Sequence, residues 1–201
     1  FFRSIDPRLI PVYNTDLDRF GPHDTIRYIL VGDNPGKKEL IEQRYLVGTA
    51  GRQARNFFHN HGLVDDFDTQ VLVLNKTFLH TPATGDLRAF MREGSLREQL
   101  LGSQRYMAYH IFLFHKLLQC PLWIVGCGEM ARGRIFANFL EKLENFYLVK
   151  GRASLRDKIF CYKHFSYGNF SRDLDLKNDP PDVMERLDRV GRDMRQQVFG
   201  W

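Results

Sequence analysis

Four short runs of this chain, Arg27–Val31, Gln70–Leu74, Leu122–Cys127 and Lys158–Tyr162, are apolar or aromatic at almost every position, and stretches with helical spacing lie between them. A strand with one wet face alternates polar and apolar residues, whereas an unbroken apolar run needs cover on both faces. Strands that alternate with helices are joined by right-handed crossovers into a mostly parallel sheet. The expected fold is therefore α/β: a three-layer α/β/α sandwich around a mostly parallel, four-stranded sheet. Helices are expected over Lys37–Gln43, Gly51–His61, Leu87–Leu118 (two helices broken near Gly102-Ser103), Ala131–Asn145 and Pro181–Val198. Residues 1–25 hold three prolines and no sustained period, so they read as an irregular N-terminal arm or a short helix leading to the first strand. No repeat or linker divides the 201 residues, and one domain over 1–201 is expected.

In a parallel sheet every strand ends on the same edge, where ligands bind. The residues that follow the four runs are Asp33-Asn34, Asn75-Lys76-Thr77, Gly126-Cys127-Gly128-Glu129 and His164-Phe165-Ser166. Together they predict a polar pocket at that edge. Singly each has a plainer role: Asp33 or Asn34 could cap the next helix, Asn75 could serve a turn, and His164 could be a satisfied structural imidazole.

The first of these turns, Gly32-Asp33-Asn34-Pro35-Gly36, narrows the chemistry. It lacks the Gly-rich, Lys-[Ser/Thr] cradle for phosphate and the three-glycine fingerprint for dinucleotides. Pro35 fixes its own backbone and keeps Asn34 out of helical geometry, so the two polar side chains are presented rigidly.

With 43% hydrophobic and 26% charged residues the chain can bury one core. Its formal charge of +5 permits an anionic partner without requiring one. Cys120, Cys127 and Cys161 form no C-x-x-C pair and read as buried thiols of a reducing compartment, the cytoplasm. The apolar stretches are too short to cross a bilayer, so no membrane association is expected.

Taken in order, these segments resemble the uracil-DNA glycosylase superfamily. Gly32-Asp33-Asn34-Pro35-Gly36 is similar to its first motif, with the Asn-Pro-Gly tail of the mismatch-specific and single-strand-selective branches. Tyr45-Leu46-Val47-Gly48-Thr49-Ala50-Gly51 resembles instead the Pro-Phe-Val-Gly-x-Ala-Gly stretch of the thermostable iron-sulfur branches. Leu72-Val73-Leu74-Asn75 resembles the strand ending in the base-reading Asn, Trp123-Ile124-Val125-Gly126 the next strand-to-helix step, and His164-Phe165-Ser166 the His-Pro-Ser of the second catalytic motif.

The resemblance implies a monofunctional hydrolase of base-excision repair that flips a deaminated base, uracil first, out of DNA and cuts its glycosidic bond. By it Asn34 holds a water against C1′, Asp33 orients or activates that water, and His164 donates to the base oxygen as charge develops. Asn75 reads the edge of the base, and Gly32, Pro35, Tyr45 and Leu46 line it. Gly48, Lys76, Lys163 and Ser166 are expected to meet DNA, as are Phe165, Tyr167 and Arg172 in a wedging loop.

Two departures matter. Leu46 stands where iron-sulfur relatives stack an aromatic on the base, leaving Tyr45 or Phe78 to supply that face. Three cysteines cannot replace the four that hold a cluster there, so no cofactor and no metal is expected. A monomer acting on DNA is the expected working form. The alternatives are a base-binding protein of the same fold that does not cut, and a glycosylase for hypoxanthine or xanthine.

Overall fold

A computed structural model describes residues 6–21, 24–151, 153–175 and 182–201. Four strands, β2 (Tyr28–Gly32), β3 (Val71–Asn75), β5 (Leu122–Val125) and β6 (Ile159–Tyr162), form a parallel sheet in the order β3-β2-β5-β6. All residues of β3 and β5 are buried, and successive side chains point to opposite faces, so the sheet is covered on both sides. The chain is thus α/β with a four-stranded parallel sheet, and each strand lies within two residues of the run that predicted it.

The first helices are α1 (Lys37–Glu42), α2 (Thr49–Asn60) and the single turn α3 (Phe67–Gln70). After β3 come α4 (Leu87–Phe90) and α5 (Gly94–Leu118); after β5 come α6 (Ala137–Lys150) and the short α7 (Ala153–Arg156). Beyond β6 lie α8 (Asn169–Asp175) and α9 (Val183–Phe199), the latter packed on β6 and capped by the Asp182 side chain on the Met184 N–H (3.1 Å).

Three expectations need correction. The break in the long helix falls at Met91–Glu93, and α5 runs unbroken through Gly102-Ser103. Ser103 is buried there: its hydroxyl donates to the Leu100 carbonyl (2.7 Å) and meets the Thr77 hydroxyl (2.6 Å). Packing along Leu96, Leu100, Met107, Ile111 and Phe112 outweighs the roughly 1 kcal/mol that a helical glycine costs. Second, α6 starts at Ala137 and not Ala131, because Cys127–Met130 form a 3-10 turn and Gly133 takes a left-handed conformation (φ 77°). Third, besides a short 3-10 helix over Thr15–Arg19, in keeping with the short helix expected there, the arm carries β1 (Ile10–Pro11), paired antiparallel with β4 (Leu79–His80). Two-residue strands have no period for a sequence to display.

Candidate active site

In chain order the four parallel strands run second, first, third, fourth across the sheet, so connections leave β2 in opposite directions. A crevice opens at the carboxyl ends of the two strands flanking such a switch point, here β2 and β5. Asp33 follows β2 and Gly126 follows β5, and they touch across this crevice. A Cβ on Gly126 would lie 2.5 Å from Asp33 Oδ1, and Gly126 has a φ of 75°, so only glycine leaves room for the carboxylate.

Lys76 completes the crevice from beneath. It is fully buried, its Nζ 2.5 Å from Asp33 Oδ1 and 2.5 Å from the Val125 carbonyl oxygen, with the Phe136 ring 5.2 Å away. Its backbone N–H donates to the Gly32 and Asp33 carbonyls (3.0 Å each), tying the end of β3 to that of β2. The carboxylate, only 13% exposed, is therefore anchored on one side by an ammonium group and open on the other.

On the open side a cavity of 330 Å³ is lined by Asp33, Gly126, Gly128, Glu129, Arg134, Lys163, His164 and Asn169. The imidazole of His164 is oriented by Ser166: the Ser166 backbone N–H donates to Nδ1 (3.1 Å) and the Ser166 hydroxyl lies 2.7 Å from it. A backbone N–H can only donate, so Nδ1 is the acceptor and Nε2 carries the proton. Burial lowers the His164 pKa below the ordinary imidazole value; Asp33 and Glu39 nearby oppose that shift, and Lys76 adds to it. The imidazole is then neutral at pH 7, with Nε2–H as its one donor.

A carboxylate is the hub of the adjoining wall. Glu39 accepts from the Gly36 N–H through Oε2 and from the Gly48 N–H through Oε1 (3.1 Å each), joining the two glycine-bearing segments. Behind it Leu46 has a φ of 54°, and its carbonyl receives the Arg55 guanidinium (2.8 Å). A Cβ on Gly51 would run into that carbonyl. Asn75 is buried at the end of β3 opposite Gly32, and a Cβ there would lie 2.7 Å from Asn75 Oδ1. Among the described residues the Asn75 amide has no hydrogen-bond partner.

The structure corrects several residue assignments. Asn34 gives its amide N–H groups to Thr81 Oγ1 (2.9 Å) and to the Thr81 and Pro35 carbonyls, and its Oδ1 accepts from Thr84 (2.8 Å). Its polar atoms are thus committed to the 81–84 loop, which leaves Asp33 facing the cavity. Lys76 cannot meet DNA, being fully buried beneath Asp33. Tyr45 is 3% exposed, its hydroxyl donating to the Val12 carbonyl (3.0 Å), and Phe78 is 5% exposed, so neither ring offers a stacking face. Leu46 and Pro35 are likewise buried.

Phe165 does not wedge outward. It stacks on Phe170 (centroids 4.1 Å apart, planes at 15°) and both are buried, because residues 169–175 form α8 in place of a free loop. The Tyr167 side chain lies outside the described residues, while Lys163 (paired with Asp173, 2.8 Å) and Arg172 (on Asn169, 2.6 Å) remain exposed. Glu39 and Arg134 were not among the residues expected to form the site, whereas Gly126 was expected at this edge. Only Glu39 left a signal, as the carboxylate three residues after Gly36 at the start of a helix.

Among the described residues no cluster of three or more His, Cys, Asp or Glu could hold a metal ion, and no helix is long and apolar enough to cross a membrane. A comparison with models of known protein families finds no match, and a comparison with curated proteins finds none at a significant level.

Proposed function

We propose that this chain hydrolyses the N-glycosidic bond of a deaminated base, uracil first, extruded from DNA into the cavity at the switch point, in a three-layer fold of the uracil-DNA glycosylase kind. One observation carries the reading: a lysine-anchored carboxylate, Asp33, and a neutral imidazole with one free donor, His164, line the same 330 Å³ cavity.

Cleavage of the bond puts positive charge on C1′ and negative charge on the departing base. Asp33 is suited to the first, stabilising the cationic carbon and taking a proton from the water that attacks it. His164 is suited to the second: its Nε2–H donates to the base oxygen as the bonding electrons move onto the base. The C1′–N bond breaks with its electrons on the base, and a C1′–O bond to water forms as the water's proton passes to Asp33. The base leaves as the anion and is protonated by solvent, to which Asp33 returns its proton. Asn75 does not itself line this cavity. Its amide, buried at the end of β3 opposite Gly32 and without a hydrogen-bond partner among the described residues, supplies groups that match the edge of uracil where the base reaches it.

Labelled oligonucleotides carrying uracil, hypoxanthine or xanthine, single-stranded and paired, test this when treated with alkali after incubation. Strand breaks at uracil are expected, reduced about 10²-fold or more in His164→Ala, the scale of losing one donor to a developing anion. Absence of breaks at all three bases would overturn it. A second reading, base recognition without cleavage, is favoured by the commitment of Asn34 to Thr81 and Thr84. It predicts binding of uracil-containing strands with no breaks.

A further inference from the structure

Arg134 belongs to two cavities at once. Besides the Asp33–His164 cavity it lines an adjoining cleft of 490 Å³ between α5 and the loop that precedes α6, together with Arg97 and Arg132. We propose that this cleft holds the phosphates of the DNA strand next to the extruded nucleotide, on one side of it only. The inference rests on the reading of the first cavity as the base pocket.

Charge and geometry both support it. Arg97, Arg132 and Arg134 are exposed, and among the described residues none of their side chains has a hydrogen-bond or carboxylate partner. Elsewhere arginines at built positions are spoken for: Arg44 by Asp16, Arg55 by Asp68, Arg88 by Glu129. A free guanidinium holds a phosphate through two parallel hydrogen bonds. Two of the three sit on the loop whose left-handed Gly133 separates them. The cleft is also lined by Glu141 and Glu144 of α6, and Glu141 is already paired with Lys142 (2.6 Å). The α6 carboxylates repel a phosphate backbone and so favour its seating at the three guanidinium groups. Because the cleft opens off one flank of the base cavity, it serves nucleotides on one side of the target.

The test measures binding of single-stranded oligonucleotides with a tetrahydrofuran abasic site at the target position, by fluorescence anisotropy across salt concentrations. Each lost phosphate contact lowers the slope of log K against log salt by about 0.7, so the triple variant Arg97→Gln, Arg132→Gln, Arg134→Gln should flatten it by about 2. Strands truncated next to the target on one side should bind parent and triple variant alike, and strands truncated on the other should keep the difference. An unchanged slope overturns the proposal, as does equal dependence on both sides, which would mean diffuse attraction. Arg192→Gln, on α9 and paired with Asp188, gives the effect of losing one positive charge away from the cleft, against which each single cleft variant is compared. The triple variant's thermal unfolding checks that it folds. If the parent makes no breaks at any base yet shows the one-sided slope change, the glycosylase reading fails and the cleft stands. Breaks at uracil with an unchanged slope give the converse.

Discussion

Asp33 and Lys76, 43 positions apart, meet at 2.5 Å under the switch point of the sheet, the ammonium fully buried and the carboxylate nearly so. Removing one partner of such a pair strands the other's charge, which costs about 3–5 kcal/mol, whereas removing both can be close to neutral. Lys76→Met should therefore lower the free energy of unfolding by that order in urea, and Asp33→Asn combined with Lys76→Met should recover much of it. Base release should stay lost in the double variant. A cycle in which the two single losses simply add would show that the pair is not coupled.

Glu39 makes a different kind of prediction, because it touches the site through the backbone of two loops. Glu39→Gln leaves one of the Gly36 and Gly48 N–H groups facing an amide N–H, at a cost of about 1–3 kcal/mol. It also removes a negative charge that favours the protonated form of His164, so the imidazole should titrate at lower pH than in the parent. Titration of His164 followed by NMR checks the direction. A shift to higher pH would contradict the placement of Glu39 beside the imidazole.

Asn75→Ala is expected to weaken uracil release by about 1–3 kcal/mol in kcat/KM, roughly 5- to 150-fold, because the polar edge of the base loses its partners. Stability should change little, since the amide has no partner among the described residues to lose. Equal kcat/KM in variant and parent would remove Asn75 from base reading.

His115 gives a pH prediction far from the site. Buried in α5 with its Nδ1 2.5 Å from the Tyr147 hydroxyl, it is held neutral, its pKa pushed down to about 4 by burial. The unfolded chain takes up this proton near pH 6.5, so the stabilisation is full above that value and is lost as pH falls towards 4. The parent should lose roughly 3 kcal/mol more than His115→Gln between pH 7 and pH 4, the comparison cancelling the shared carboxylates. Parallel pH profiles of chemical denaturation would refute it.

The strands were legible because an uninterrupted apolar run has few alternatives in a chain that alternates with helices, and parallel pairing then carries Asp33, Asn75, Gly126 and His164 to one edge. Helix ends were less so. The start of α6 and the continuity of α5 through Gly102 depend on the left-handed Gly133 and on the buried Ser103–Thr77 contact, neither of which local pattern records. Phe165 shows the same limit: an aromatic in a polar turn reads alike whether it faces solvent or stacks on Phe170.

From the order of its residues alone this chain determines an α/β fold with a parallel sheet and the edge at which chemistry-bearing side chains collect, since both follow from periodicity and chain direction. Only the tertiary structure decided which of them face the cavity. It turned Asn34 towards Thr81 and Thr84, sank Lys76 beneath Asp33, and used Glu39 to join two loops. The reason is that a polar side chain leaving water takes whichever partner lies within about 3 Å, and partners dozens of positions away come within that reach only when the sheet has formed.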